Sequence, residues 1–246
     1  MHRFFINTYL IKGKEISLEN PTFHQIKNVL RMAEGDYIEL FNNTGNYYKA
    51  KIIDSEGNLI KCLIEDQLKA SQDGIEINVY QSIIKISKLE LIVDKLTEIG
   101  ISSFTPIITE RTQKKDINSL SKNKLKRLKK ISIEASEQSG KVYIPKINSI
   151  KRLRNLDIGS SDILDIVFYE NNDNAKKLNY LKSKFSDKKS ISAFIGPVGG
   201  FSIEEIEYFK SKESIVINLG NTIFKSDTAS IISVALLRNL ISGNLD

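Results

Sequence analysis

Two short segments near the end of the chain constrain its fold more than any other feature. The first is Ser192-Ala193-Phe194-Ile195-Gly196-Pro197-Val198-Gly199-Gly200-Phe201-Ser202, and the second is Leu219-Gly220-Asn221-Thr222-Ile223-Phe224-Lys225-Ser226-Asp227-Thr228-Ala229. Each reads as a buried strand entering a tight loop and then a helix. In the first, the glycines let the backbone come close to a ligand and Pro197 stiffens the turn. Ser202 with Glu205 has the spacing of a capping box that opens the helix. In the second, Ser226 or Asp227 is expected to cap a helix that is apolar nearly all round and therefore buried. Neither segment has the G-x-G-x-x-G or GK[ST] pattern, so neither the dinucleotide fingerprint nor the P-loop is met. Turn geometry and capping account for each loop alone. Two in tandem are what an α/β protein uses to hold a small ligand in backbone contacts at the carboxyl ends of its strands.

The preceding residues agree with such a sheet. Strand-like runs at 75–82, 103–108, 163–169, 190–195 and 214–218 alternate with helical patterns near 88–99, 118–139, 174–184, 203–212 and 228–241. This alternation implies a parallel sheet covered on both faces. Residues 1 to about 68 have a different grammar. Tyr37-Ile38-Glu39-Leu40-Phe41, the turn cluster Asn42 to Asn46, and Tyr47 to Ile53 form a hairpin signal. A helix is expected from about Thr22 to Arg31, entered through Asn20-Pro21. Short strands with one helix suggest a small barrel. The polar stretch Lys69 to Gly74 marks the boundary, giving domains of 1–70 and 75–246.

Composition narrows the partners. The chain has 246 residues, 41% of them hydrophobic, which is enough for two cores. Lys+Arg 36 against Asp+Glu 30 gives +6, a modest bias toward polyanions. Cys62 is the single cysteine, so an intramolecular disulfide is impossible, and with only His2 and His24 no metal site is expected. No apolar run approaches the length of a membrane span, and the start lacks a signal-peptide pattern, so a cytoplasmic setting is expected.

Four further polar features stand out. Thr109-Glu110-Arg111-Thr112 closes a strand, where Glu110 and Arg111 suit either a site or a surface ion pair. Six of the nine residues from Lys122 to Lys130 are basic, a face that either tracks phosphates or is simply solvated. Glu137, Gln138 and Lys141 gather at the end of the same helix. Lys225 just before a helix N-terminus opposes the helix dipole and is better used facing an anion.

In order and spacing, these elements resemble the RsmE-type ribosomal RNA methyltransferases of the SPOUT superfamily. The matching pieces are His2-Arg3-Phe4-Phe5, Val29-Leu30-Arg31 with Gly35-Asp36, Lys95 to Gly100, Glu110-Arg111-Thr112, Glu134 to Ser139, Gly196 to Gly200, and Leu219-Gly220 through Ala229. The resemblance implies an N-terminal PUA-like RNA-binding β-barrel and a C-terminal α/β domain with a parallel sheet and a trefoil knot. It implies a homodimer that uses S-adenosyl-L-methionine to methylate N3 of a uridine in the decoding region of 16S ribosomal RNA in the small subunit. Cofactor contacts would come from Thr109, Ile195, Gly196, Pro197, Gly199, Gly200, Leu219, Gly220, Ile223, Phe224, Thr228 and Ala229. Asp227 or Glu110 would take the N3 proton, and Arg111 or Lys225 would stabilise the charge left on the base. Arg3, His24, Arg31, Lys95, Gln138 and Lys141 would contact RNA. The chain departs from the family's usual residues at Val198, Lys225, Lys141, Phe224 and Asp227. The other readings are an RNA-binding assembly factor without catalysis and a SPOUT methyltransferase acting on another RNA.

Overall fold

A computed structural model of the chain describes residues 1–70, 74–170, 176–185 and 187–243. The chain divides into two compact units: 1–72 with 136–144, and 73–135 with 145–246.

The first unit is a five-stranded sheet made of β1 (Arg3–Phe5), β2 (Glu15–Leu18), β3 (Tyr37–Phe41), β4 (Asn46–Asp54) and β5 (Ile60–Lys69) in the order β1-β3-β4-β5-β2. β3, β4, β5 and β2 pair antiparallel, while β1 runs parallel to β3. The period of two is visible in burial: Ile38, Leu40, Ala50, Ile52, Cys62 and Ile64 point into one apolar core. Register shifts at Lys49/Ala50 and Ile52/Asp54 bend β4. The sheet is PUA-like and curled, with β1 and β2 at its two ends. The helix expected over 22–31 is shorter. It runs as Thr22–His24 and then widens to a π-helical Gln25–Val29 (together α1), because Leu30 N–H bonds back to Gln25 O. Arg31, in the left-handed region at φ 56, lies beyond its end.

The second unit carries the parallel sheet. Its strands are β6 (Glu76–Ser82), β7 (Ser103–Ile108), β8 (Lys146–Ile147), β9 (Lys151–Arg152), β10 (Ile163–Phe168), β11 (Ser190–Ile195) and β12 (Ile215–Ile217). They lie in the order β12-β10-β11-β6-β7-β8, with β9 also on β7, and all the pairs are parallel. β11 is buried at every position, its two serines included, as expected of a central strand in a parallel sheet covered on both faces. Ile191, Ala193 and Ile195 face one core, and Phe194 faces another, where it packs on Tyr80 and Phe209.

Helices cover both faces. α2 (Ile86–Ile99) buries Leu89, Ile92, Val93 and Leu96, a helical stripe, and ends on Gly100 at φ 96 with its N–H on Leu96 O and Thr97 O. α6 (Ser226–Ile241) packs beside it through Val234, Leu237 and Leu240. α5 (Ile203–Ser211) starts at the expected capping box, with both Ser202 and Glu205 engaged. The long helix expected over 118–139 is instead α3 (Lys114–Ser119) and α4 (Lys122–Ser139). The break falls at Leu120, which leaves helical geometry (ψ 74) and buries its side chain. Of the helix expected at 174–184, residues 178–184 form a 3-10 turn, and 171–175 lie outside the described residues. α6 is half-buried rather than enclosed. Ile231, Ile232, Ala235 and Leu236 keep part of their surface.

Candidate active site

Since the strands of the second unit are parallel, the loops that follow β6, β7, β10, β11 and β12 leave from one edge of the sheet. That edge gathers the two glycine segments and the Thr109 turn.

The loop after β11 is compact. A Cβ on Gly196 would meet the backbone of Phe201 and Gly200 at 3.1–3.3 Å. Gly200 has φ +67, and a Cβ there would lie 2.5 Å from Glu170 Oε1. Ile195, Gly196 and Pro197 are buried, while Val198 is 74% exposed and Gly199 is exposed. The loop after β12 turns at Gly220 (φ +110), whose N–H bonds to Asn218 Oδ1 at 2.6 Å. Leu219 and Phe224 are half-buried there, and Ile223 is 72% exposed.

A buried hydrogen-bond node joins the two loops. The Ser226 hydroxyl donates to Gly196 O at 2.6 Å. Gln81 Nε2 donates to Ser226 Oγ at 3.0 Å and to Ser82 O at 2.9 Å. This corrects the capping expectation. The N-cap of α6 is the exposed Lys225, with no side-chain cap, and Ser226 is spent holding the other loop. Asp227 is likewise not the cap. Its carboxylate pairs with Lys88 Nζ at 2.5 Å, which holds it below the usual carboxylate range. Thr228 is exposed and Ala229 half-buried on the same first turns. Gln81 went unnoticed in the sequence. The available signal is Gln81-Ser82 at the end of β6, followed directly by the apolar Ile83-Ile84: a buried polar pair that requires partners.

The turn after β7 supports the first loop. Thr109 Oγ1 and Thr112 Oγ1 lie 2.8 Å apart, and Thr109 also reaches Ser82 Oγ at 3.2 Å. The Arg111 side chain lies against Gly199, and its Nη1 donates to Gly199 O at 2.9 Å. Glu110 turns the other way. Its Oε2 accepts from the Ser202 hydroxyl at 2.6 Å, and its N–H donates to Glu205 Oε1 at 2.8 Å. So Arg111 flanks the glycine loop, and Glu110 belongs to the start of α5.

The residues expected to meet RNA are distributed over both units. In the first, Arg3 is engaged: its guanidinium grips Glu39 Oε2 at 2.7 and 2.9 Å, donates to Gly140 O, and covers the Tyr47 ring. The geometry makes Arg3 a clamp within the unit. Glu137 accepts from Phe5 N–H at 2.8 Å. His24, bonded to Asn28 at 2.8 Å, and also Arg31 and Gln138 are exposed, and Lys141 is half-buried. In the second unit, Lys95 is shared between Asp94 at 3.0 Å and Glu98 at 2.6 Å. On the basic face of α4, Arg127 is held by Glu90 at 2.6 Å, while Lys122, Lys124, Lys126 and Lys129 extend into solvent. Burial pushes the Cys62 thiol up to about 12. Among the described residues no group of three His, Cys, Asp or Glu could hold a metal, and no helix is long and apolar enough to cross a membrane.

The RNA methyltransferase domain model matches residues 71–238, and the RNA methyltransferase PUA domain model matches 18–65. Ribosomal RNA small subunit methyltransferase E of Rickettsia conorii is 30% identical, covering 97% of this chain and 96% of its own. The chain belongs to the ribosomal RNA small subunit methyltransferase E family. The member from Buchnera aphidicola (subspecies Acyrthosiphon pisum) is 32% identical over 97% of this chain and 93% of its own. A chain from Legionella pneumophila, solved in complex with the bound cofactor SAM, is 25% identical and superposes with a TM-score of 0.82 over 96% of both chains. Val198 lies on the solvent-facing crest of the first loop, and Lys225 is the exposed N-cap of α6.

Proposed function

We propose that this chain binds S-adenosyl-L-methionine between the loops 195–200 and 219–224 and transfers its methyl group to N3 of a uridine in the decoding region of 16S ribosomal RNA, as a cytoplasmic homodimer. The observation that carries the reading is the buried node in which Ser226 and Gln81 tie Gly196 to the start of α6, so that two backbone-lined loops are held as one cradle in a chain of this family. The crossing of β11 between β6 and β10, with α6 packed over it, is where the trefoil knot of this reading would lie.

The bound cofactor supplies an activated methyl group, so the protein's main contribution is alignment. Gly196, Gly199 and Gly200 keep the loop free of side chains that would hold the ligand away from backbone groups. Arg111, braced on Gly199 O, presents its remaining N–H groups beside the loop, where they would stabilise charge developing on the uracil oxygens. Of the two carboxylates, Asp227 stands on the first turn of α6 next to the Gly196 contact and is ionised at neutral pH, so it is the group assigned to receive the N3 proton. Glu110, engaged by Ser202, is assigned to support the loop. The half-exposed face of Ile231, Ile232, Ala235 and Leu236 is the surface that a second copy would cover.

Two measurements test this. Calorimetry with S-adenosyl-L-methionine should give saturable heat. Primer extension across 16S ribosomal RNA from a deletion strain should lose one block at a decoding-region uridine. Wild-type protein should restore it, and Arg111→Ala should not, while retaining a native melting profile. A block at another position would move the substrate to a different RNA site. The second reading, a non-catalytic RNA-binding factor, draws on Val198 and Lys225, and the absence of any heat would favour it.

A further inference from the structure

The second unit has a pocket of ≈ 550 Å³ that none of the glycine-loop residues line. It opens beyond the turn that follows β7, at the edge of the sheet where β9 pairs with Ile107 and Ile108. Its floor is apolar, made by Ile108, Ile117 and Leu153. Lys114, Arg152 and Arg154 stand around it as cations. Among the described residues Lys114 and Arg152 form no ion pair, and Arg154 is held over the Tyr208 ring at 4.3 Å from its centroid. The acids at the pocket are otherwise engaged. Glu205 accepts from Glu110 N–H and Ser202 N–H, and Glu110 accepts from Ser202 Oγ. Among the described residues, the three cations therefore form no ion pair.

The volume lies in the range of small-molecule sites. An apolar floor ringed by Arg and Lys that form no ion pair matches a group with a flat face and a phosphate, which is how single-stranded RNA presents an unstacked nucleotide. Glu110 and Arg111 are adjacent in the chain and face opposite ways. A nucleotide seated here would therefore lie one turn away from the loop against which Arg111 rests. Resting on the methyltransferase reading, we propose that this pocket seats a second nucleotide of the RNA substrate, its base over Leu153 and Ile117 and its phosphate against Arg152, Arg154 and Lys114. The pocket would then fix the strand so that the target uridine reaches the cofactor loops.

The test is RNA binding by the double variant Arg152→Ala/Arg154→Ala, with a single-stranded decoding-region oligoribonucleotide as probe. Both arginines are exposed, and neither side chain makes a hydrogen bond within the described residues, so folding should be preserved and is checked by unchanged S-adenosyl-L-methionine affinity. The expected result is RNA affinity lower by roughly tenfold, with a salt-dependence slope smaller by about 1.4, the value for two phosphate contacts on a single strand. Unchanged RNA affinity and slope in a variant that still binds the cofactor overturns the pocket assignment alone. Wild-type protein that binds neither cofactor nor RNA overturns both readings. Uridine monophosphate binding that is lost in the variant while RNA binding persists would mean a free-nucleotide site, and that also overturns the proposal.

Discussion

Gly200 and Gly199 are neighbours with opposite tolerances, and the difference lies in a dihedral angle. Gly200 has φ +67 and faces the Glu170 carboxylate, so an added Cβ strains the backbone and meets an oxygen at 2.5 Å. Gly199 would place a Cβ at 3.6–3.7 Å from Arg111 carbons, ordinary contact. Gly200→Ala should therefore cost about 1–2 kcal/mol in urea denaturation and weaken cofactor binding, while Gly199→Ala should stay within about 0.5 kcal/mol of wild type. Equal midpoints for the two variants would count against this account of the loop. Arg3 is a second case where the surroundings decide. A charged residue that reads as a phosphate contact is committed to Glu39 and Gly140.

At the level of elements, α6 begins where it does because its first residue is anchored to another loop rather than capped. Ser226→Ala removes the bond to Gly196 O and leaves Gln81 Nε2 one acceptor short in a buried setting. The expected cost is about 1–3 kcal/mol, read as a lower urea midpoint, together with weaker S-adenosyl-L-methionine binding, because the two loops would no longer be held together. A variant with wild-type cofactor affinity would show that the node does not set the cradle. α5 is the contrasting element. Its capping box Ser202–Glu205 was written in the sequence, and its additional work was not: the same two side chains also take up Glu110.

For the molecule as a whole, two carboxyls give opposite pH dependence. Asp227 is held low by Lys88, so its contribution is present above the ordinary carboxylate pKa and is lost as pH falls through its depressed value. Asp165 is buried on β10, and desolvation pushes it up, despite bonds from Gly159 N–H and Ser192. Its ionisation therefore costs stability, and that cost grows as pH rises from the ordinary carboxylate pKa through the raised one. Asp165→Asn keeps an acceptor for Gly159 and removes the charge. The variant's melting temperature relative to wild type should rise steadily from acid to neutral pH. A difference that is flat across that range would remove Asp165 from the pH response.

The sequence by itself determined the alternating strands and helices of the second unit, the curled β-rich first unit and the loops that carry the candidate site. Those properties are local: a period of two or 3.6, a glycine where φ is positive, a serine three residues before a glutamate. The tertiary structure decided which polar side chains meet. Gln81 and Ser226 are 145 positions apart and Glu110 and Ser202 are 92 apart, and nothing in their immediate neighbours encodes either pairing. It also decided that Ser226 holds a loop, that Asp227 is paired with Lys88, and that Arg152 and the Tyr208-stacked Arg154 stand beside an apolar floor with no ion pair among the described residues. The physical reason is burial. A polar group removed from water must find a partner wherever the folded chain brings one, and that location depends on strand order rather than on sequence neighbours.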